Sequence, residues 1–296
     1  MKKWFAYKDK AIISGKMIEF YQYKDPIWKS TGTDKPKSSI IVPKNKDDCL
    51  AEKFPEEILK SVIEERDYRA EYMRRAKRTI ERLAYCNFNN SYTSLMTLTY
   101  KANVKDLGQA YADLDLFMKR LKYPLIKYKY PFDGFKLKYI CKPEFQERGA
   151  VHFHLITNLK SFPFAKKVVR EWKKQKTLPE YWDEDYNLQD IWTQLYKSKG
   201  KGSADLQKIA WEGMPQVVSY ITGYMTKDFD DERFAGKKSY STTRNLTKPR
   251  ELYNDEARLY LENLLEEKKD IKKETTWTFT PNSFSEQEIT YDKYIV

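Results

Sequence analysis

Val151-His152-Phe153-His154-Leu155-Ile156 is the stretch from which the chain is read. The 296 residues contain two histidines, and both stand here, two apart. Chance places two histidines that way in roughly one chain of this length in 150. The run from Ala150 to Thr157 reads as a strand, and side chains alternate across a strand. His152 and His154 therefore share one face, and Val151, Phe153 and Leu155 take the other. Two neutral imidazoles on one face are a ready pair of metal ligands; the alternative is a hydrogen-bonded pair on a solvated sheet face.

The neighbouring sequence favours the metal. Glu144-Phe145-Gln146-Glu147-Arg148-Gly149 is extended and ends in an Arg-Gly turn, so it pairs as a hairpin with the histidine strand. Glu144 and Gln146 share a face and can lie across from the histidines. Glu144 is the first choice as third ligand, because a carboxylate binds a hard cation better than an amide does; Gln146 is the second. Two imidazoles and one oxygen leave open positions suited to Mn²⁺ or Mg²⁺ acting on a phosphate.

Charge points to the same chemistry. The formal net charge is +12, and residues 251–296 carry 6 Lys/Arg against 11 Asp/Glu, which leaves +17 on residues 1–250. Such an excess favours a nucleic-acid partner bound by the first 250 residues, with the acidic end lying off it. Cys49, Cys86 and Cys141 are scattered and odd in number, which excludes a disulfide framework or a zinc site of paired cysteines. No signal peptide or membrane-length apolar run is read, so no membrane partner is expected and the cytosol is the expected location.

From residue 93 onward the pattern runs β-α-β-β-α-β and then a helix. The strands are Thr93 to Tyr100, Phe135 to Gln146, Ala150 to Thr157 and Ser203 to Ile209. A first helix is capped by Asp106, with Gln109 at the reciprocal position. Ala165 to Lys174 and Leu188 to Lys197 are helix candidates, and Met214 to Phe229 is the last helix. The expected class is α+β: an antiparallel sheet with a ferredoxin-like or RRM-like core, helices on one face and the histidines on the open one. The expected division is a β-rich extension over 1–50, a basic helix over 51–88, a core over 89–250, and a C-terminal helix with an acidic tail over 251–296. Arg74, Arg75 and Arg78 lie on the basic surface of the second segment, either as DNA contacts or as a solvated face. Lys199 and Lys201 sit in a glycine-bearing loop that can touch a phosphate backbone. That loop is not a nucleotide-binding P-loop, because Leu195 stands where its first glycine belongs.

A second constellation is Tyr220-Ile221-Thr222-Gly223-Tyr224-Met225-Thr226-Lys227. Tyr220 and Tyr224 are four apart and share a helix face, with Lys227 near it. Packing alone explains such a pair. Beside a metal site, a tyrosine hydroxyl can instead attack a phosphodiester, with Lys227 holding the phosphate or steadying the phenolate.

Taken in order, Ser94 to Tyr100, Glu144 to His154 and Tyr220 to Lys227 resemble the HUH endonuclease superfamily, and are similar to rolling-circle replication initiator (Rep) proteins of bacterial plasmids and single-stranded DNA phages. The resemblance covers about residues 70–250. It implies the HUH fold for the core and a sequence-specific, metal-dependent nickase and strand transferase. Its substrate would be single-stranded DNA at a replication origin, exposed in a hairpin or a melted duplex, and its intermediate a 5′-phosphotyrosine. Tyr224 with Lys227 matches the family's Tyr-x-x-Lys pattern and is the implied nucleophile; Tyr220 is the implied second tyrosine. Gly223 stands where many relatives have a lysine. Arg148 joins the expected DNA contacts. With no ATPase module in the chain, unwinding falls to a host helicase. The competing expectations are a transposase or relaxase of the same superfamily, and a non-catalytic RRM-like binder.

Overall fold

The computed structural model describes residues 4–30, 68–88, 93–127, 134–159, 202–227, 232–234, 237–267, 271–280 and 287–296. In chain order the elements are β1 (Trp4–Ser14), β2 (Met17–Ser30), α1 (Tyr68–Asn87), β3 (Ser94–Thr99), α2 (Leu107–Lys127), β4 (Tyr139–Phe145) and β5 (Val151–Thr157). They continue with β6 (Ser203–Lys208), α3 (Met214–Lys227), β7 (Ser241–Thr242), β8 (Arg250–Tyr253), α4 (Asn254–Glu267), β9 (Lys272–Phe279) and β10 (Ile289–Ile295). They fall into two compact units: Met73–Lys248, and Met1–Tyr72 together with Pro249–Val296. The candidate helices at Ala165 to Lys174 and Leu188 to Lys197, the loop with Lys199 and Lys201, and the first part of the long basic helix lie outside the described residues.

The unit built from both ends of the chain is a five-stranded antiparallel sheet in the order β8-β1-β2-β10-β9. Gly15, at φ +60°, opens the two-residue turn that joins Ser14 to Met17. A hairpin that tight needs a positive φ at this position. One face packs Ala11, Ile18, Phe20, Leu252 and Tyr294 against Ala257, Tyr260, Leu261 and Leu264 of α4. The structure departs from the sequence reading here. Residues 274–296, expected as an acidic tail, supply most of β9 and all of β10, and β10 sits between β2 and β9. Their threonines and aromatics suit a pleated surface, and the partner strand β2 lies far away in sequence. The C-terminal helix also begins three residues later than read, at Asn254, because residues 250–253 pair with β1.

The other unit carries the expected α+β core. Its sheet is antiparallel in the order β6-β3-β5-β4-β7. Setting aside the short edge strand β7, this is the ferredoxin-like order, in which the third strand of the motif lies between the first and second. Asp106 caps α2: its carboxylate accepts the Gly108 N–H at 2.8 Å, and its carbonyl the Ala110 N–H at 3.0 Å. Gln109 does not complete the reciprocal cap; it donates to Asp113 instead.

Helices cover both faces of this sheet, and that corrects the expected open face. On one side Ala110, Leu114, Phe117 and Leu121 of α2 pack on Met96, Leu98, Tyr139, Cys141, Phe153 and Leu155. On the other, Met73, Ala76, Ile80 and Ala84 of α1 and Met214, Val218 and Ile221 of α3 pack on Ile140 and Ile156. Strand alternation puts the histidines on the second side. The apolar stripes of α1 and α3 are what close it, which leaves His154 only 2% exposed. No helix among the described residues is long and apolar enough to cross a membrane.

Candidate metal centre

β4 and β5 pair so that Glu144 lies directly opposite His152, and Lys142 opposite His154. The hairpin turn that fixes this register closes through Gly149 N–H to the Gln146 carbonyl at 2.7 Å and Gln146 N–H to the Ala150 carbonyl at 2.9 Å. Gly149 takes φ +82°, a conformation for which glycine is the natural choice. The consequence is a cluster of three donor atoms. His152 Nε2 and His154 Nε2 are 2.7 Å apart, and Glu144 Oε2 is 2.9 Å from His154 Nε2 and 3.6 Å from His152 Nε2. Three ligands on one face of an octahedron, each about 2.1 Å from an ion, stand about 3 Å from one another. Glu144, His152 and His154 are grouped closely enough to hold one ion.

The histidines are aimed from β3. Thr97 pairs with His154 and Thr99 with His152 in the ladder. Thr97 Oγ1 is 3.5 Å from His154 Nδ1, and Thr99 Oγ1 is 3.3 Å from His152 Nδ1. When each hydroxyl accepts Nδ1–H, both Nε2 lone pairs turn toward the Glu144 carboxylate. Three acceptors then converge, an arrangement that a cation relieves. Burial, reinforced by His154 and opposed by Glu144, pulls the His152 pKa down to about 4, so its imidazole is neutral and able to ligate at ordinary pH.

α3 brings a hydroxyl to the same place. Met214, Val218 and Ile221 bury one side of this helix, and Tyr220 stands at its margin, 41% exposed. Its hydroxyl is 3.3 Å from His154 Nε2, and the two rings meet edge to face at 5.0 Å. Tyr224 and Lys227 follow on the same helix, but their side chains lie outside the described residues.

The remaining expected site residues separate. The Gln146 amide oxygen accepts Arg148 Nε at 3.0 Å, whereas Glu144 joins the histidines. Arg148 also donates to the backbone carbonyls of Lys101, at 2.8 Å, and Tyr100, so much of its guanidinium staples the hairpin to the loop after β3. Arg74, Arg75 and Arg78 lie on the exposed side of α1, opposite Met73, Ala76 and Ile80.

Two features went unread in the sequence. One is the threonine pair, visible only once β3 is known to neighbour β5. The other is Lys142, which is fully buried although lysine usually marks a surface. Its Nζ donates to the Pro143 carbonyl at 2.7 Å and lies 4.7 Å from the centroid of the Phe234 ring.

The segment that carries β3, β5 and α3 has a known counterpart. Residues 93–229 match the family model for the ORF2-type replication-associated protein. The match supports a replication-associated protein and is consistent with a rolling-circle replication initiator. The Glu144–His152–His154 cluster and Tyr220 both fall within the matched segment. No curated protein and no solved structure matches the chain.

Proposed function

We propose that this protein is a sequence-specific, metal-dependent nickase and strand transferase for single-stranded DNA, which starts rolling-circle replication of a plasmid or phage through a 5′-phosphotyrosine link. The observation that carries the proposal is the Tyr220 hydroxyl, 3.3 Å from His154 Nε2, at the edge of the Glu144–His152–His154 cluster. A nucleophile beside three converging ligands is the arrangement phosphoryl transfer requires.

Glu144, His152 and His154 would hold Mn²⁺ or Mg²⁺, with Thr97 and Thr99 setting the imidazole orientation. A divalent ion there would polarise the phosphate oxygens and stabilise the departing 3′-oxygen. The tyrosine oxygen bonds to phosphorus as the bond from phosphorus to the 3′-oxygen breaks. The phenolic proton passes to solvent and the departing 3′-oxygen takes one up, so the freed strand ends as a 3′-hydroxyl. The phosphodiester energy is kept in the tyrosine link, so rejoining needs no ATP. Tyr220 is the tyrosine whose hydroxyl stands at the cluster among the described residues. Tyr224, with Lys227 in the Tyr-x-x-Lys pattern, is the tyrosine the family resemblance favours, and the two together suit successive cleavages.

Arg74, Arg75 and Arg78 on α1, with Lys199 and Lys201, are proposed contacts to the DNA backbone. A host helicase is the proposed partner for unwinding, and the cytosol the proposed location. The test is cleavage of circular single-stranded DNA from the protein's own replicon by wild type, His152→Ala and His154→Ala. The nickase reading expects both variants to lose Mn²⁺-dependent cleavage and to keep most of their DNA affinity. Wild type that binds but never cleaves would favour the non-catalytic binder. Cleavage confined to transposon-end or transfer-origin sequences would favour a transposase or relaxase.

A further inference from the structure

The hairpin turn next to the metal ligands gathers cations from three separate parts of the chain. Arg148 belongs to the turn itself. Lys105 comes from the loop before α2: a Cβ placed on Gly149 would lie 3.3 Å from Lys105 Cε. Arg233 comes from the short turn Glu232–Phe234 that follows α3, and the same Cβ position is 3.8 Å from its Nη1. Lys105, Arg148 and Arg233 are all exposed. The bare α-carbon of Gly149 leaves room for the close approach of Lys105.

Arg233 is pre-oriented. Its guanidinium carbon lies 3.8 Å from the centroid of the Phe145 ring. Phe145 meets Phe234 edge-on at 5.2 Å, and Phe234 is buried, with the Lys142 ammonium 4.7 Å from its ring. The guanidinium thus rests on a ring that is itself anchored. A stacked arginine loses less freedom than a free one when it binds a phosphate. Phe145 follows Glu144 on β4 and packs with the α2-side core, so this cation is held on the face of β4 opposite the Glu144 carboxylate. Glu147, also in the turn, is an exposed carboxylate, and Asp106 and Glu232 adjoin Lys105 and Arg233 in sequence.

We propose that Arg233 and Lys105, seated around Gly149 beside Arg148, form a phosphate clasp that holds the single DNA strand at the hairpin turn between β4 and β5. The clasp rests on the reading that this protein acts on single-stranded DNA. Lys105 and Arg233 supply the contacts, and Arg148, committed in part to backbone carbonyls, adds its charge and shapes the turn.

The test uses the full chain in EDTA, where binding is measured apart from cleavage. Fluorescence anisotropy with a labelled oligothymidylate of about 16 nucleotides gives affinity as a function of salt. Each single-strand phosphate contact contributes about 0.7 to the slope of log affinity against log salt. The clasp predicts that the double variant Lys105→Gln/Arg233→Gln loses about 1.4 from that slope, and that Arg233→Lys keeps it. An unchanged slope in the double variant, with a thermal melt like that of wild type, overturns the clasp. A changed slope in a protein that forms no adduct with Mn²⁺ leaves the clasp standing and removes the nickase. An unchanged slope with a normal adduct does the reverse. No binding by wild type overturns the clasp and the DNA reading together.

Discussion

His152 and His154 bring their Nε2 atoms to 2.7 Å of each other, although their residues are two apart on one strand. Both rings can do this because β3 offers a threonine to each Nδ1. The pair is therefore a property of two neighbouring strands. Glu144 from a third strand, β4, completes the donor set.

If Thr97 and Thr99 set the imidazole orientation, removing either hydroxyl weakens the site without removing a ligand. Thr97→Val and Thr99→Val are each expected to lower Mn²⁺ affinity about tenfold to a hundredfold, as loss of such outer partners typically does. Calorimetric titration measures this. Wild-type affinity in both variants would mean that the rings are held by packing alone.

His152 also gives the fold an acid sensitivity. Its pKa is about 4 in the folded chain against an ordinary 6.5. Between those values the unfolded chain holds the proton and the folded chain does not, so stability rises with pH across the window and is lost as pH falls from 6.5 toward 4. His152→Gln removes the linkage. Denaturant titrations in EDTA are expected to show the variant gaining about 3 kcal/mol relative to wild type between about pH 7 and about pH 4. Parallel pH profiles for the two proteins would contradict the assignment.

Gly149 combines a left-handed backbone with the close approach of Lys105. Gly149→Ala is expected to cost about 1–2 kcal/mol of stability, chiefly through the backbone, since the lysine end can move aside. A denaturation midpoint equal to that of wild type would show that the turn has another conformation available.

The last strand is a structural member of its sheet. Ending the chain before Ile289 removes β10, which pairs with β2 on one side and β9 on the other. Amide hydrogen exchange in β2 and β9 is expected to accelerate strongly. Exchange unchanged by the truncation would return residues 289–295 to the status of a tail.

The parts legible in the sequence were local ones. Alternation along residues 150–157 put both histidines on one face, the Arg148-Gly149 turn fixed the hairpin that brings Glu144 across, and apolar spacing from Met214 marked out α3. What stayed hidden depended on partners distant in the chain. Thr97 and Thr99 acquire a role only through the β3–β5 neighbourhood. α1 read as an amphipathic helix, but nothing local said that it would cover the histidine face. The burial of Lys142 and the carbonyl partners of Arg148 likewise depend on the folded hairpin. The strands β9 and β10 were obscured because β10 finds its partner β2 more than 200 positions earlier, and β9 is held only through β10.

The most direct test of the central claim is to incubate the protein with labelled single-stranded DNA of its own replicon, with Mn²⁺ or with EDTA, and to map any covalently linked peptide by mass spectrometry. The predicted result is an adduct that forms only with Mn²⁺, carried on the α3 peptide at Tyr220 or Tyr224, and lost in the corresponding tyrosine-to-phenylalanine variant. No adduct on any oligonucleotide tiled across the replicon, with tight binding retained, would contradict the account and make Glu144, His152 and His154 a structural cluster in a binding protein.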